Sequence, residues 1–97
     1  MIKLNATINE NDILIKNIEK SHEEFVFKII LKSFEKDKRV YVKNKIIGPS
    51  ENVIIAECNN EEVVLSYDID YGIDPIKCTA ANVKTIFNIV NKLLMNN

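Results

Sequence analysis

The sequence predicts an α+β domain in two layers, an antiparallel meander of five or six strands with one C-terminal α-helix packed across one face. Three observations lead to this prediction. Apolar and polar residues alternate in several short segments of residues 1–70, as in half-buried strands. Turn signals separate these segments by only a few residues, which favours antiparallel hairpins. Residues 80–96 instead carry apolar side chains at helical spacing.

Most of the predicted strands are bounded by clear turn signals. Residues 1–9 alternate regularly, and residues 12–19, 39–47, 52–58 and 62–70 predict four further strands. Gly48-Pro49-Ser50 is a strong turn signal. Asn59-Asn60 predicts a tight hairpin, because asparagine tolerates a positive φ.

Residues 24–34 fit two interpretations. As a helix, they follow a capping box at residues 21–24, and Glu24, Lys28 and Lys32 form a charged stripe at helical spacing. As a strand, they place Phe25 and Phe27 on one side together with other apolar residues. The many β-branched and aromatic residues favour the strand, which is our prediction.

The C-terminal helix is the most regular pattern in the chain. Its apolar stripe includes Val83, Ile86 and Val90, and Thr79 is the predicted N-cap, because its hydroxyl can accept a hydrogen bond from a backbone N–H of the first turn. An acidic turn over residues 71–79 leads into this helix. At 97 residues, we expect a single domain over residues 1–97.

Composition favours a protein of the cytoplasm. No apolar segment approaches the roughly 20 residues that a membrane-spanning helix requires, and the N-terminal residues lack the apolar core of a signal peptide. Cys58 and Cys78 are therefore expected to be reduced thiols. The sequence lacks the ligand spacing of a zinc site. Heavy use of isoleucine, lysine and asparagine is typical of an AT-rich genome and favours a bacterium, a phage or a parasite as the source, of which we expect a bacterium or a phage.

The formal net charge of −1 is unevenly distributed. Residues 1–50 carry ten Lys or Arg and seven Asp or Glu, whereas residues 51–97 carry three and seven. No basic residue occurs between Ile46 and Ile76. An ordinary solvated surface is one interpretation of this charge distribution. The other is a polarised molecule whose acidic end binds a basic partner.

The acidic segment before the C-terminal helix is the first candidate site. Apolar spacers such as Ile69 and Ile73 argue against a calcium loop, and we expect neither a metal nor a cofactor. Gly72 permits a bend in which the carboxylates are simply solvated. The alternative is a surface that binds a basic protein through aromatic anchors and carboxylates. The predicted partner-binding residues are Tyr67, Asp68, Asp70, Tyr71 and Asp74.

The second candidate site is a basic hairpin over residues 36–45. Basic residues around an aromatic ring can follow a nucleic-acid backbone and stack a base, although the slightly acidic total charge argues against strong nonspecific binding. The simpler interpretation is an edge strand that lysines protect from pairing. The candidate nucleic-acid-binding residues are Lys38, Arg39, Tyr41, Lys43 and Lys45.

Two further features are a thiol close to the helix and a second apolar sheet face. Cys78 lies just before the helix, where a thiolate would be stabilised, but nothing brings the single histidine, His22, towards it. We therefore expect no enzymatic activity. The strand prediction also leaves a second apolar sheet face that a second copy or a partner would cover. That face is predicted to contain Val26, Ile30, Phe34, Ile54 and Val64.

Together these patterns predict a small non-enzymatic protein-binding domain. Many inhibitors and immunity proteins that neutralise a partner are compact domains of a sheet and a helix with an acidic patch. This is an analogy, because fold does not imply function. A nucleic-acid-binding accessory domain and a self-associating scaffold subunit are the alternatives.

Overall fold

The computed structural model describes residues 4–17 and 23–95 of the chain. Seven strands and two helices follow one another in these residues. Their bounds are β1 Leu4–Asn9, β2 Asp12–Asn17, α1 Glu23–Lys36, β3 Val40–Ile47, β4 Glu51–Cys58, β5 Glu61–Asp68, β6 Gly72–Ile73, β7 Ile76–Lys77 and α2 Val83–Met95.

The strands form one antiparallel sheet in the order β1-β2-β7-β5-β4-β3, and β6 pairs with the end of β5. The predicted meander is present in β3, β4 and β5, which pair in sequence order. The β1–β2 hairpin lies at the other side of the sheet. The two-residue strand β7 joins the two parts, because it pairs with both β2 and β5. The α+β class and the antiparallel sheet are therefore confirmed.

Both helices pack on the same face of the sheet. Buried residues of α1, α2 and six strands form a single hydrophobic core, in which Phe34, Ile54, Leu65 and Ile86 are completely buried. Burial of such side chains stabilises the fold by about 1.5–3 kcal/mol each. We call the face under the helices the inner face and the opposite one the open face.

The strand predicted over residues 24–34 is wrong, because this segment lies within helix α1. Val26, Phe27, Ile30 and Phe34 recur at helical spacing and are buried, and the exposed pair Glu24–Lys28 joins neighbouring turns. Strand preferences differ by only about 1 kcal/mol and depend on packing. Four buried side chains on one helical stripe outweigh them. The same result moves Val26, Ile30 and Phe34 from the predicted second apolar face into the core.

Helix α2 confirms the C-terminal prediction, beginning three residues later than expected. The carbonyl of Thr79 accepts hydrogen bonds from the N–H groups of Asn82 and Val83. Its hydroxyl, however, donates to Glu61 at 2.5 Å and does not serve as the predicted cap. Instead, the side chain of Asn82 accepts the N–H of Thr79 at 2.8 Å, the reciprocal half of a capping box.

The hairpin connections follow the turn residues. Asn59 and Asn60 both have positive φ, 55° and 65°, as a two-residue turn of the predicted kind requires. The acidic turn predicted over residues 71–79 contains the short strands β6 and β7. Gly72 has a φ of 87°, a conformation that is open to glycine and strained for other residues.

Candidate functional site

The turn between β5 and β6 projects two apolar side chains into solvent. Asp68 organises this turn, since its Oδ1 accepts the backbone N–H groups of Asp70 at 2.8 Å and Tyr71 at 3.1 Å. Ile69 is 63% exposed and Tyr71 is 87% exposed. Exposing this much apolar surface to water is energetically unfavourable. The turn therefore presents an aromatic and an aliphatic side chain on a hydrogen-bonded loop.

Two other segments meet this turn at the same end of the molecule. The N–H of Ile69 donates to the carbonyl of Ser50, at 2.9 Å, in the β3–β4 connection. Glu24, in the first turn of α1, lines an open pocket of about 110 Å³ together with Ile69, Tyr67 and residues 48–52. We call this end the tip and define it as residues 23–25, 47–51 and 68–71.

The tip combines exposed apolar side chains with carboxylates. Ile47 is 70% exposed and Phe25 is half exposed. No Lys or Arg lies within the segments that form the tip, and Lys28 is held on the α1 surface by Glu24 at 3.4 Å. The acidic residues of the tip are Glu23, Glu24, Glu51, Asp68 and Asp70.

The structure separates the five predicted partner-binding residues. Asp70 and Tyr71 are exposed at the tip, as a binding surface requires. Asp68 is engaged by the turn itself. Tyr67 turns to the inner face, where its ring packs on that of Phe27 with the centroids 5.6 Å apart.

Asp74, the fifth predicted residue, also lies away from the tip surface. Its Oδ2 accepts the hydroxyl of Ser66 at 2.9 Å, and Ser66 lies on the open face. The prediction missed Ile47, Ile69 and Glu24. The absence of basic residues from Ile47 to Pro75 could have pointed to Ile47 and Ile69. Glu24 could not be found in this way, because it reaches the tip only through the packing of α1.

The basic residues of the predicted hairpin do not form one surface. The guanidinium of Arg39 binds both carboxylate oxygens of Asp37, at 2.9 and 2.8 Å. Lys45 reaches Glu35 of α1 on the inner side, at 2.8 Å, whereas Lys43 approaches Glu57 on the open face, at 3.5 Å.

Acidic neighbours therefore already engage three of the five predicted nucleic-acid contacts. Tyr41 is exposed on the open face, and Lys38 is exposed in the turn after α1. Because the cations point to different faces, they cannot follow one phosphate backbone together. Nucleic-acid binding stays a prediction.

Both cysteines are shielded from solvent, and Cys58 is fully buried. Burial raises the pKa of the Cys78 thiol to about 12, with a further contribution from Asp12, so the expected thiolate stabilisation before α2 is wrong. Burial also raises the pKa of Cys58. Within the described residues, no three His, Cys, Asp or Glu side chains are grouped as metal ligands. His22 lies outside the described residues.

Helices α1 and α2 are short, and the described part of the chain contains no helix long and apolar enough to cross a membrane. Comparison of the chain with protein-family models, with curated proteins and with solved structures finds no match.

Proposed function

We propose that this protein is a non-enzymatic binding domain that docks its tip onto a basic surface of another protein, as a small inhibitor or immunity-type protein does. The observation that carries this proposal is the projection of Tyr71 and Ile69 from an acidic, structured turn. The domain would act in the cytoplasm of a bacterium or of a phage host, where Cys58 and Cys78 would remain as the unpaired thiols that the structure contains.

The apolar side chains of the tip supply the anchors. Aromatic residues that enter a pocket of the partner dominate the affinity of many protein interfaces. Tyr71 is almost fully exposed, and its ring loses little conformational freedom on binding. Ile69 lies in the same turn and Ile47 at the end of β3, and both would extend the apolar contact around Tyr71, the centre of the proposed interface.

The carboxylates around these anchors select the partner. Asp70 is exposed beside Tyr71, and Glu24 and Glu51 line the neighbouring pocket. Charges of one sign accelerate association with a partner of the opposite sign and disfavour other partners. An enzyme or toxin with a basic active-site cleft would meet these requirements.

The tip is held in place before binding. The side chain of Asp68 closes the turn, and the bond from Ile69 to Ser50 fixes the turn to the β3–β4 connection. A surface that is already ordered loses less entropy when a partner binds. This order supports a dedicated recognition surface rather than a loop that adapts to many partners.

Affinity capture from a lysate of the source organism tests the proposal with two matched variants. The tip variant Asp70→Asn/Tyr71→Ser removes the exposed anchor and one charge. The control variant Lys84→Gln/Asn88→Ser removes one charge and changes two exposed residues of α2. We expect a basic protein to be retained by the wild type and the control, and its affinity for the tip variant to fall at least about 10-fold.

Thermal unfolding of both variants checks that they remain folded, since the altered side chains are exposed. Raising the salt concentration is expected to weaken the captured complex, because exposed charges are screened. If the tip variant retains the same proteins as the wild type with the same affinity, the tip is not the binding surface.

A further inference from the structure

The open face of the sheet carries an apolar patch on β3, β4 and β5. Strand β4 is apolar on both sides: Ile54 and Ala56 enter the core, whereas Val53 and Ile55 point to the open face. Antiparallel sheets with one solvated face normally alternate apolar and polar residues. A strand that is apolar on both sides is typical of a sheet that is covered on both sides.

Cross-strand pairing gathers these side chains into a compact group. Ile46 of β3 lies opposite Val53, and Val64 of β5 lies opposite Ile55. Val53 and Ile55 are two residues apart on one strand and therefore share a face. Tyr41, 67% exposed, lies on the same face at the β3 edge. We call the set Ile46, Val53, Ile55 and Val64 the open-face patch.

Charges of both signs surround this patch. Lys43 approaches Glu57 at 3.5 Å beside Tyr41, and Lys77, opposite Val64, binds Asp12 at 2.8 Å. A surface with both signs on its rim can meet a rotated copy of itself with opposite charges in contact. The tip, in contrast, carries excess negative charge and would repel its own copy.

The size of the face also fits a symmetric dimer. Three strands have eight residues, two have six and β7 has two. At about 3.4 Å per residue and about 4.8 Å between strands, they form a face of roughly 600 Å². Specific interfaces bury about 600–1,000 Å² of each partner, so the whole face is large enough for one.

We propose that the open face binds the open face of a second copy, so that two sheets pack against each other between outer layers of helices. The apolar centre supplies the hydrophobic driving force, and the rim, where Lys43 and Lys77 are paired with acidic groups within each copy, carries no excess charge that would repel a second copy. Sheets packed in this way lie about 10 Å apart and cross at about 30°. Both tips remain exposed, and the dimer would present two of them.

Sedimentation velocity over a range of protein concentrations tests this inference. We expect wild-type protein to shift from the 11.1 kDa monomer to a dimer as its concentration rises. Val53→Lys/Val64→Lys places two charges in the patch and is expected to raise the dissociation constant at least about 100-fold. The control Ala81→Lys/Asn88→Lys adds the same charges at exposed positions of α2 and of the turn before it, on the helical side of the sheet, and is expected to dimerise like the wild type.

A measurement on the wild type avoids any question of variant folding. Methyl NMR signals of Val53, Ile55 and Val64 are expected to shift with protein concentration, whereas those of the tip residue Ile69 stay constant. A wild-type monomer at 0.5 mM would overturn the proposal, as would a dimer that Val53→Lys/Val64→Lys leaves unchanged. Patch methyl groups that shift only when another protein is added would also overturn it and assign the face to that protein.

Discussion

The carboxylate of Glu23 occupies the space that a side chain at Gly72 would fill. Glu23 is the first residue of α1, and Gly72 is the first residue of β6. The Oε1 atom of Glu23 also accepts a long hydrogen bond, of 3.5 Å, from the N–H of Ile73, the residue that follows Gly72. This contact brings the start of a helix against the turn that carries Tyr71, and it explains how two distant segments form one tip.

Gly72→Ala is expected to destabilise the protein by about 1–3 kcal/mol, because a φ of 87° strains any residue with a Cβ. Urea unfolding measures this loss. The double variant Glu23→Ala/Gly72→Ala removes the carboxylate that would overlap the new methyl group. Since the backbone strain persists, we expect most of the loss to remain. Full recovery in the double variant would show that the overlap, and not φ, makes glycine necessary.

The Asp37–Arg39 pair makes part of the stability depend on pH. Hydrogen bonds from Arg39 lower the pKa of Asp37 from its usual 3.8 to about 2 in the folded chain. The pair therefore stabilises the fold fully above about pH 4, and this contribution disappears as the pH falls through about 2. Because Arg39 is largely exposed, we expect less than about 1 kcal/mol.

An NMR titration of the Asp37 carboxyl group tests the origin of this pKa. Arg39→Gln is expected to return the pKa towards 3.8, because the charged donor is lost. Lys38→Gln removes the adjacent exposed charge and should leave the pKa near 2. An unchanged pKa in Arg39→Gln would show that another group, such as Lys92 of α2, holds the carboxylate ionised.

Cys78 is expected to react slowly with alkylating reagents in the folded protein. With its pKa raised from 9.0 to about 12, its thiolate fraction at pH 8 falls about 1000-fold, and only the thiolate is nucleophilic. Mass spectrometry after iodoacetamide treatment measures the rate. The added cysteine of Lys84→Cys, on the exposed side of α2, provides an exposed reference. Equal rates at the two positions would contradict the burial of Cys78.

The sequence predicted the elements whose local pattern admits one interpretation. Helix α2 was recognised because its apolar residues repeat at helical spacing, and strands β3, β4 and β5 because turn signals bound short segments rich in β-branched residues. Residues 24–34 carry apolar side chains at both spacings, so local preference could not decide between helix and strand. Packing of the stripe through Ile30 against the sheet decides it, and that contact is not visible in a single segment.

The residues of the candidate site were likewise predicted only in part. Asp70 and Tyr71 were predicted because Gly72 and the carboxylates mark a turn. Ile47 and Glu24 reach the tip only through the strand order and the path of α1, which no local pattern records. The second apolar face was also expected, but a one-residue change of register reverses a strand. Val64 was placed correctly, whereas Ile54 is in the core.

Asn82→Ala is expected to cost about 1–2 kcal/mol, because it removes a cap at the start of α2. Asn82 is fully buried, and its Oδ1 accepts the N–H of Thr79 at 2.8 Å. The substitution leaves that N–H without this acceptor and opens a small void. Asn88→Ala, at an exposed position of the same helix, is the control and should change the free energy of unfolding by less than about 0.5 kcal/mol. Urea unfolding with equal m-values measures both, and equal stabilities of the two variants would exclude a capping role for Asn82.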